Sequence, residues 1–563
     1  MNKNFVIKYL TVVNILFITS LSGLAQTLKP HVPFTHADTL RGYYGPSRDW
    51  WNVLKYDLHV RFNITDSTIS GYNIIQFKKI KKGADIMQID LQSPLMIDSV
   101  VYLEPLTKTA LKVPVTELKK DGNAYFIKFE KELLLSGQHI ILVYYHGKPT
   151  IAKNPPWDGG LIWKKDKNNN PWVSIACQGL GASIWYPCKD HQSDEPDSAE
   201  MHITVPDSLV CVGNGRLRGK INNTDGTTTY DWAVTTPINN YCLIPYIGKY
   251  AHFSENYNGE NGNLDMDYWV LDYNFEKAKK QFKEAPRMMK AFEYWFGPYP
   301  FYADGYKLVE APHLGMEHQS ATAYGNGFQN GYHGIDLSGT GWGLKWDFII
   351  VHESGHEWFA NNITSKDIAD MWIHESFTNY SETLFTQYYY GKAAADAYVI
   401  GTRKRIKNDV PVIGPYNVNR EGSGDMYYKG GNMLHTIRQL VNNDNKFREI
   451  LRGLNKTFYH QTVTTTQVEN YISTNAKMNF SKIFDQYLRT TQVPVLEYKI
   501  DGHKLSYRYT DCVNGFQMPL KITFKTTQWI KPSKQWQQLN LYPEGNNSFS
   551  VDPNFYIRSK MVQ

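Results

Sequence analysis

The chain has 563 residues, of which 42% are hydrophobic and 20% charged, and a formal net charge of +6. That is more sequence than one hydrophobic core serves, so several domains are expected and long disordered stretches are not. The small positive balance, without a Lys/Arg cluster interleaved with aromatics, excludes a nucleic-acid-binding reading.

Residues 1–25 have the pattern of a secretory signal peptide. Lys3 and Lys8 make a basic start, Tyr9 to Leu21 is mostly apolar, and Gly23-Leu24-Ala25 places small residues where a signal peptidase reads. Export to the periplasm or the extracellular space is expected, with +4 left after Lys3 and Lys8 are lost. An uncleaved N-terminal anchor is the alternative, disfavoured by the shortness of the apolar run. No later stretch approaches the roughly 20 apolar residues of a spanning helix, so the mature chain is expected to lack one.

Residues 40–245 read as an all-β domain. Tyr56–Phe62 alternates strictly and Tyr72–Phe77 less so. Further β-rich runs fall at Ala124–Phe129, His139–Tyr145, Met201–Val205 and Thr227–Trp232, separated by Gly, Asn, Asp and Pro clusters. Cys177, Cys188, Cys211 and Cys242 lie in this half and Cys512 far away, with no C-x-x-C zinc spacing. One disulfide among the first four and buried free thiols both fit.

From about residue 246 the character changes. Phe275–Phe296 is helical with few breaks, Tyr306–Glu310 is a short strand, and helical patterns recur at Asn432–Val441, Lys446–Leu454 and Ser481–Arg489. After Pro494 strands return at Leu496–Ile500, Leu505–Tyr509 and Leu520–Thr526. The expected class is multidomain α+β, with a mixed catalytic domain over 246–494 and a small β-sandwich over 495–563. No internal repeat is evident. The 39 tyrosines and 15 tryptophans fit either large packed surfaces or an aromatic cleft.

Chemistry concentrates between residues 345 and 382. His352 and His356 stand four apart, so on a helix they share a face and could hold one Zn²⁺, with Glu353 between them as general base for a water. The apolar run Phe348–Val351 and the pair Trp358-Phe359 suit a buried helix. Glu375, nineteen residues after His356 and in a second helical pattern between Trp372 and Phe377, is the natural third ligand. A structural helix with merely hydrogen-bonded histidines is the bland alternative. Glu382, seven residues beyond Glu375, would share its face and either orient a ligand histidine or stand solvated.

His352-Glu353-x-x-His356 followed by Glu375 resembles the gluzincin metallopeptidases of the aminopeptidase N and leukotriene hydrolase family. Leu314-Gly315-Met316-Glu317-His318 is similar to that family's G-x-M-E-N motif, and Tyr427-Tyr428-Lys429-Gly430 to its Y-x-K-G. Ala176-Cys177-Gln178-Gly179, with Tyr186-Pro187-Cys188 and Asp194-Glu195-Pro196, resembles its N-domain substrate loop. The resemblance spans about residues 50–500. It implies a saddle-shaped N-terminal sheet, a thermolysin-like catalytic domain and one zinc per chain. It also implies Tyr427 as oxyanion donor, Glu317 and Gln178 as contacts to a substrate amine, and Gly315 and Met316 as backbone partners of the peptide. A large C-terminal helical domain, usual in the family, is not expected here.

Three positions depart from the pattern: Leu314, His318 and the His374-Glu375-Ser376 triplet. None removes a ligand or the base, but His318 carries a side chain that ordinarily titrates near neutral pH. The expected function is a zinc aminopeptidase acting on peptides with a free N-terminus. A thermolysin-like endopeptidase would make Glu317 dispensable. A non-enzymatic peptide-binding relative would require a broken ligand set.

Overall fold

The computed structural model of the chain describes residues 33–103, 110–113, 118–130, 137–524, 526–541 and 549–563. The signal peptide expected over residues 1–25 lies outside the described residues. Among them no helix is long and apolar enough to cross a membrane.

The N-terminal half is built on an eight-stranded sheet. Its strands run in the order Arg216–Asn222, Thr227–Val234, Ser198–Pro206, Trp51–Asn63, Thr68–Lys79, Gln138–Gly147, Met96–Leu103 and Ala110–Val113. Neighbours pair antiparallel except Trp51–Asn63 with Ser198–Pro206, which are parallel. The alternation in the sequence is what orients this sheet. Tyr56, Leu58, Val60 and Phe62 are buried on one face while Lys55, Asp57, His59 and Arg61 line the open one. A four-stranded sheet (Val210–Val212, Tyr246–Gly248, Pro171–Ala176, Gly160–Lys165) and a three-stranded one pack with it around one core.

The catalytic half has a five-stranded sheet ordered Tyr250–Gly259, Gly262–Leu271, Tyr306–Glu310, Thr322–Tyr324, Gly315–Met316. The short strand Gly315–Met316 is its edge, paired on one side only, with Tyr324 and Ala323. Helices follow, and the helical run expected over 275–296 is two helices, Phe275–Gln281 and Glu284–Phe296, divided at Phe282-Lys283. Residues 495–563 contribute a four-stranded and a three-stranded sheet that share the core of the catalytic helices. The multidomain α+β class holds. All five cysteines are buried free thiols, so the sequence's two alternatives resolve to thiols.

Candidate active site

Asp347 starts the first site helix, Phe348–Gly355. Its carboxylate accepts from the backbone N–H groups of Ile349 (3.1 Å) and Ile350 (3.3 Å), satisfying donors that a helix start leaves open. Ile349, Ile350 and Val351 are buried, so this helix is locked by packing. It is shorter than its apolar pattern suggests. His356 already terminates it, and the chain then widens through Glu357–Asn361, where Ala360 takes φ 147°. A left-handed alanine is strained by about 1–3 kcal/mol. That turn brings the Phe359 carbonyl to within 3.0 Å of His356 Nδ1.

Both histidines are thereby oriented. His352 Nδ1 donates to Glu382 Oε1 at 2.8 Å, and Glu382 is held in turn by Asn379 and by the Tyr398 hydroxyl. In the metal-binding form Nδ1 of each ring keeps its proton and Nε2 offers its lone pair. The Nε2 atoms lie 3.8 Å (His352) and 3.5 Å (His356) from Glu375 Oε2, on the second site helix, Trp372–Tyr390. Glu375 Oε2 is buried and accepts no hydrogen bond. An orphaned carboxylate oxygen facing two imidazole lone pairs is a donor set for a divalent ion, and separations of this size suit bonds of about 2.0–2.2 Å. His352, His356 and Glu375 therefore fit zinc. Glu382, solvated in one sequence reading, is instead fully buried and holds His352.

Glu353 is partly buried and lines a cleft of about 640 Å³ together with the three ligands. Burial pushes its carboxyl up to about 8, with His352 opposing and Glu317, Glu375 and Glu382 reinforcing. A divalent cation on the neighbouring ligands would draw it back down and favour the charged form, which is the one that accepts a proton.

Glu317 also lines this cleft. One of its oxygens, Oε1, accepts from Gln178 Nε2 and, at 3.0 Å, from the Tyr241 hydroxyl, while Asn361 Nδ2 holds its backbone carbonyl at 2.8 Å. It is 2% exposed, and its carboxyl is raised by burial. Carboxylate oxygens of Glu317 and Glu353 and a ring nitrogen of His356 lie within 4.8 Å of one another. Gly315 passes so close that a Cβ there would stand 2.8 Å from Glu353 Oε1. The glycine thus lets the edge strand run against the base.

Tyr427 and Tyr428 both line the cleft, in different surroundings. The Tyr427 ring stacks on His352 with centroids 6.0 Å apart, whereas Tyr428 sits under the Arg405 guanidinium. Burial and four nearby carboxylates hold the Tyr427 hydroxyl well above its usual range, so it stays a donor. Ser376 anchors the preceding residue by donating to the Met426 carbonyl at 2.7 Å.

The departures from the family motif are structural. His318, which the sequence offers as a group titrating near neutral pH, is fully buried on the side away from solvent, 2.5 Å from the Tyr246 hydroxyl. Burial holds it well below its ordinary pKa, so it stays neutral and does not titrate there. His374 accepts from the backbone N–H of Ser365. Leu314 lines the cleft. Residues that sequence reasoning missed are Tyr241, Asn361, Tyr398, Ser376 and Glu421, the last at the cleft rim near Gly179. Ser376 adjoins Glu375, Asn361 follows His356 by five residues and Glu421 precedes Tyr427 by six, whereas Tyr241 and Tyr398 come from segments without a motif.

A cation-ready trio beside a free carboxylate in an open cleft defines the centre of a metal-dependent hydrolase. The comparisons specify which kind. Peptidase family M1 domain matches residues 282–487 and Peptidase M1 N-terminal domain matches residues 52–242, and the chain belongs to the M1 peptidase family. It is 21% identical over 340 residues to leukotriene A-4 hydrolase of Xenopus laevis, covering 56% of this chain and 52% of that protein. It is 20% identical over 498 residues to probable aminopeptidase 1 of Saccharolobus solfataricus, covering 84% and 58%. The chain spans about half the length of the curated relatives it matches. An M1 zinc metallopeptidase of Deinococcus radiodurans, solved with a Tyr-Ser-Ala substrate, shares the fold with a TM-score of 0.64. Identity is 18%, with 79% of this chain and 95% of that one covered.

Proposed function

We propose that the chain is a zinc-dependent aminopeptidase, removing single residues from peptides with a free N-terminus. The observation that carries this reading is the buried Glu317 carboxylate in the cleft, next to Glu353 and His356. A peptide N-terminus is an ammonium near neutral pH, and Glu317, fixed by Gln178 and Tyr241, offers it a charge-assisted hydrogen bond. The short reach from Glu317 to the ligand trio leaves room for one residue before the scissile bond.

Zinc bound by His352, His356 and Glu375 would supply Lewis acidity to the carbonyl and acidify water. Glu353 accepts the proton of the attacking water and returns it to the leaving amine. The Tyr427 hydroxyl donates to the oxygen that gains charge on attack. Gly315 and Met316, on a sheet edge, pair with the peptide backbone as an added strand, which holds it extended across the cleft. The leader pattern over residues 1–25 supports action outside the cytoplasm.

Digestion of a ten-residue peptide, free and N-acetylated, followed by mass spectrometry, tests the reading. A ladder from the N-terminus of the free form alone is expected. Internal cuts in both forms would make the protein an endopeptidase.

A further inference from the structure

The cleft holds one carboxylate that the proposed reaction leaves unused. Glu421 lines it alongside the ligand trio and Glu317, six residues before Tyr427. Among the described residues its side chain joins no hydrogen bond or ion pair. The neighbouring acids are committed: Glu317 to Gln178 and Tyr241, Glu382 to His352 and Tyr398, Asp158 to the backbone N–H groups of Lys153 (2.6 Å) and Asn154 (2.7 Å). The loop that carries Glu421 is nevertheless pinned on both sides. Asn419 donates from its backbone N–H to the Asp38 carbonyl at 2.9 Å and from Nδ2 to the Gly179 carbonyl at 3.1 Å, and Arg420 reaches Asp38 Oδ2 at 3.3 Å. Gly422 lies so close to Val412 that a Cβ there would stand 1.9 Å from its carbonyl oxygen, and the Ser423 N–H donates to the Pro411 carbonyl at 2.9 Å.

A Cβ at Gly179 would stand 3.5 Å from Glu421 Oε1, so the carboxylate sits beside the residue that follows Gln178. Gly179 takes φ 71°, where glycine is favoured, and adds no side chain between the amine contacts and Glu421. Glu421 is open to the cleft, yet the protein around it, followed by Glu375 and Glu317, pushes its carboxyl up to about 7. Charge in this cleft is one-sided. Asp158, Glu317, Glu353, Glu375, Glu382 and Glu421 line it, and no Lys or Arg does. A divalent ion and one substrate ammonium offset only part of that negative charge, which leaves Glu421 attractive to a further cation. Leu180, Met371 and Met426 line the same cleft and offer apolar surface to the methylene stem of a long basic side chain.

We propose that Glu421 receives the side chain of the substrate's first residue, and that the enzyme prefers peptides beginning with arginine or lysine. This rests on the aminopeptidase reading and names its substrate class. Glu317 and Gln178 take the amine, and Glu421, one residue further along the wall, meets what projects from the same Cα. A cation there holds Glu421 in its charged form. Arginine leads lysine, because its planar fork can give one carboxylate two parallel hydrogen bonds.

Hydrolysis of arginyl and citrullinyl anilides by the zinc-loaded protein tests this, since citrulline keeps the shape of arginine without its charge. In wild type kcat/KM should favour arginine by about 10–100-fold, the worth of a hydrogen bond to a charged group. In Glu421→Gln the ratio should fall close to one, through loss on arginine rather than gain on citrulline. Glu421→Lys should turn the preference round, toward glutamyl over glutaminyl anilide. An arginine-to-citrulline ratio near one in wild type would overturn the proposal, and that measurement needs no variant to fold. Equal losses on arginine and citrulline in Glu421→Gln would also overturn it and make Glu421 a second contact to the amine. Release from the N-terminus without charge preference would defeat this proposal alone, whereas internal cuts in free and N-acetylated peptides would defeat the aminopeptidase reading and this proposal with it.

Discussion

Glu353 stands beside the metal ligands without joining them, which separates its contribution from theirs. Glu353→Gln should keep zinc at wild-type stoichiometry and lower kcat by at least about 10²–10⁴-fold, because the proton acceptor is gone and the ligands are untouched. Metal analysis alongside kinetics checks this; loss of zinc would mean that Glu353 is itself a ligand. Tyr427→Phe should lower kcat by about 10²–10³-fold with KM nearly unchanged, since the hydroxyl acts only on developing charge. Tyr428→Phe, whose ring faces Arg405, should leave kcat nearly intact, and the reverse pattern would exchange their roles. His352, Glu353, His356 and Glu375 are legible in the sequence because the chemistry needs two histidines a helical turn apart and a glutamate on the next helix, whereas Tyr427 is legible only through the resemblance of Tyr427-Tyr428-Lys429-Gly430 to the family's Y-x-K-G. Tyr241 is not legible, since tertiary packing alone brings it to Glu317, and Asn361, though only five residues past His356, has no spacing rule that marks it.

At the scale of single elements, the helix Trp372–Tyr390 does two jobs. Its Glu375 faces the metal ligands and its Glu382 holds His352 from behind. Glu382→Gln should weaken zinc binding by about 10–100-fold, measured by competition with a chromophoric chelator, because the His352 ring loses its fixed tautomer. The same helix seats Tyr427 through Ser376. A Cβ added at Gly430 would fall 1.8 Å from Ser376 Oγ and 2.6 Å from its Cβ. Gly430→Ala should therefore destabilise the fold by about 1–3 kcal/mol in denaturant titration, although alanine is the better helix former. Adding Ser376→Gly should cost less in the Gly430→Ala background than in wild type, because it relieves the clash while losing the bond to the Met426 carbonyl in both; equal costs would place the clash elsewhere. The periodicity of helices such as Ser481–Arg489 was readable, but the early end of Phe348–Gly355 was not, because Trp358 and Phe359 continue an apolar pattern across a turn that Ala360 makes left-handed. The hairpin over 250–271 went unread although Leu264, Met266, Tyr268 and Val270 alternate, since its partner strand Tyr250–Gly259 is largely polar and half-exposed.

Across the whole molecule, the proposed amine pocket around Glu317 belongs to neither half. Glu317 follows an edge strand of the catalytic sheet, while Gln178 and Tyr241 come from the N-terminal region. Glu317→Ala should cost about 2–5 kcal/mol in kcat/KM on free-amine substrates, the scale of truncating one partner of a buried charge pair. Gln178→Ala should cost only about 1 kcal/mol, the worth of one hydrogen bond, and should act mainly through KM. Aminoacyl anilide kinetics compare the two, and equal losses would refute the division of labour. The sequence showed two regions of different character, alternating strands and then helices. It could not show that their contact completes the pocket, because that contact depends on how two separate cores meet.

If Glu317 holds the substrate amine as proposed, this buried carboxylate in the cleft would also set the time course of digestion. On the proposed aminopeptidase reading, every cut would leave a peptide whose new first residue carries the same ammonium that Glu317 is proposed to recognise, so each product would return as the next substrate. A single long peptide would feed many consecutive turnovers. The reaction would stop not at a preferred sequence but at whichever residue first resists removal, leaving ragged fragments that share one stubborn N-terminus.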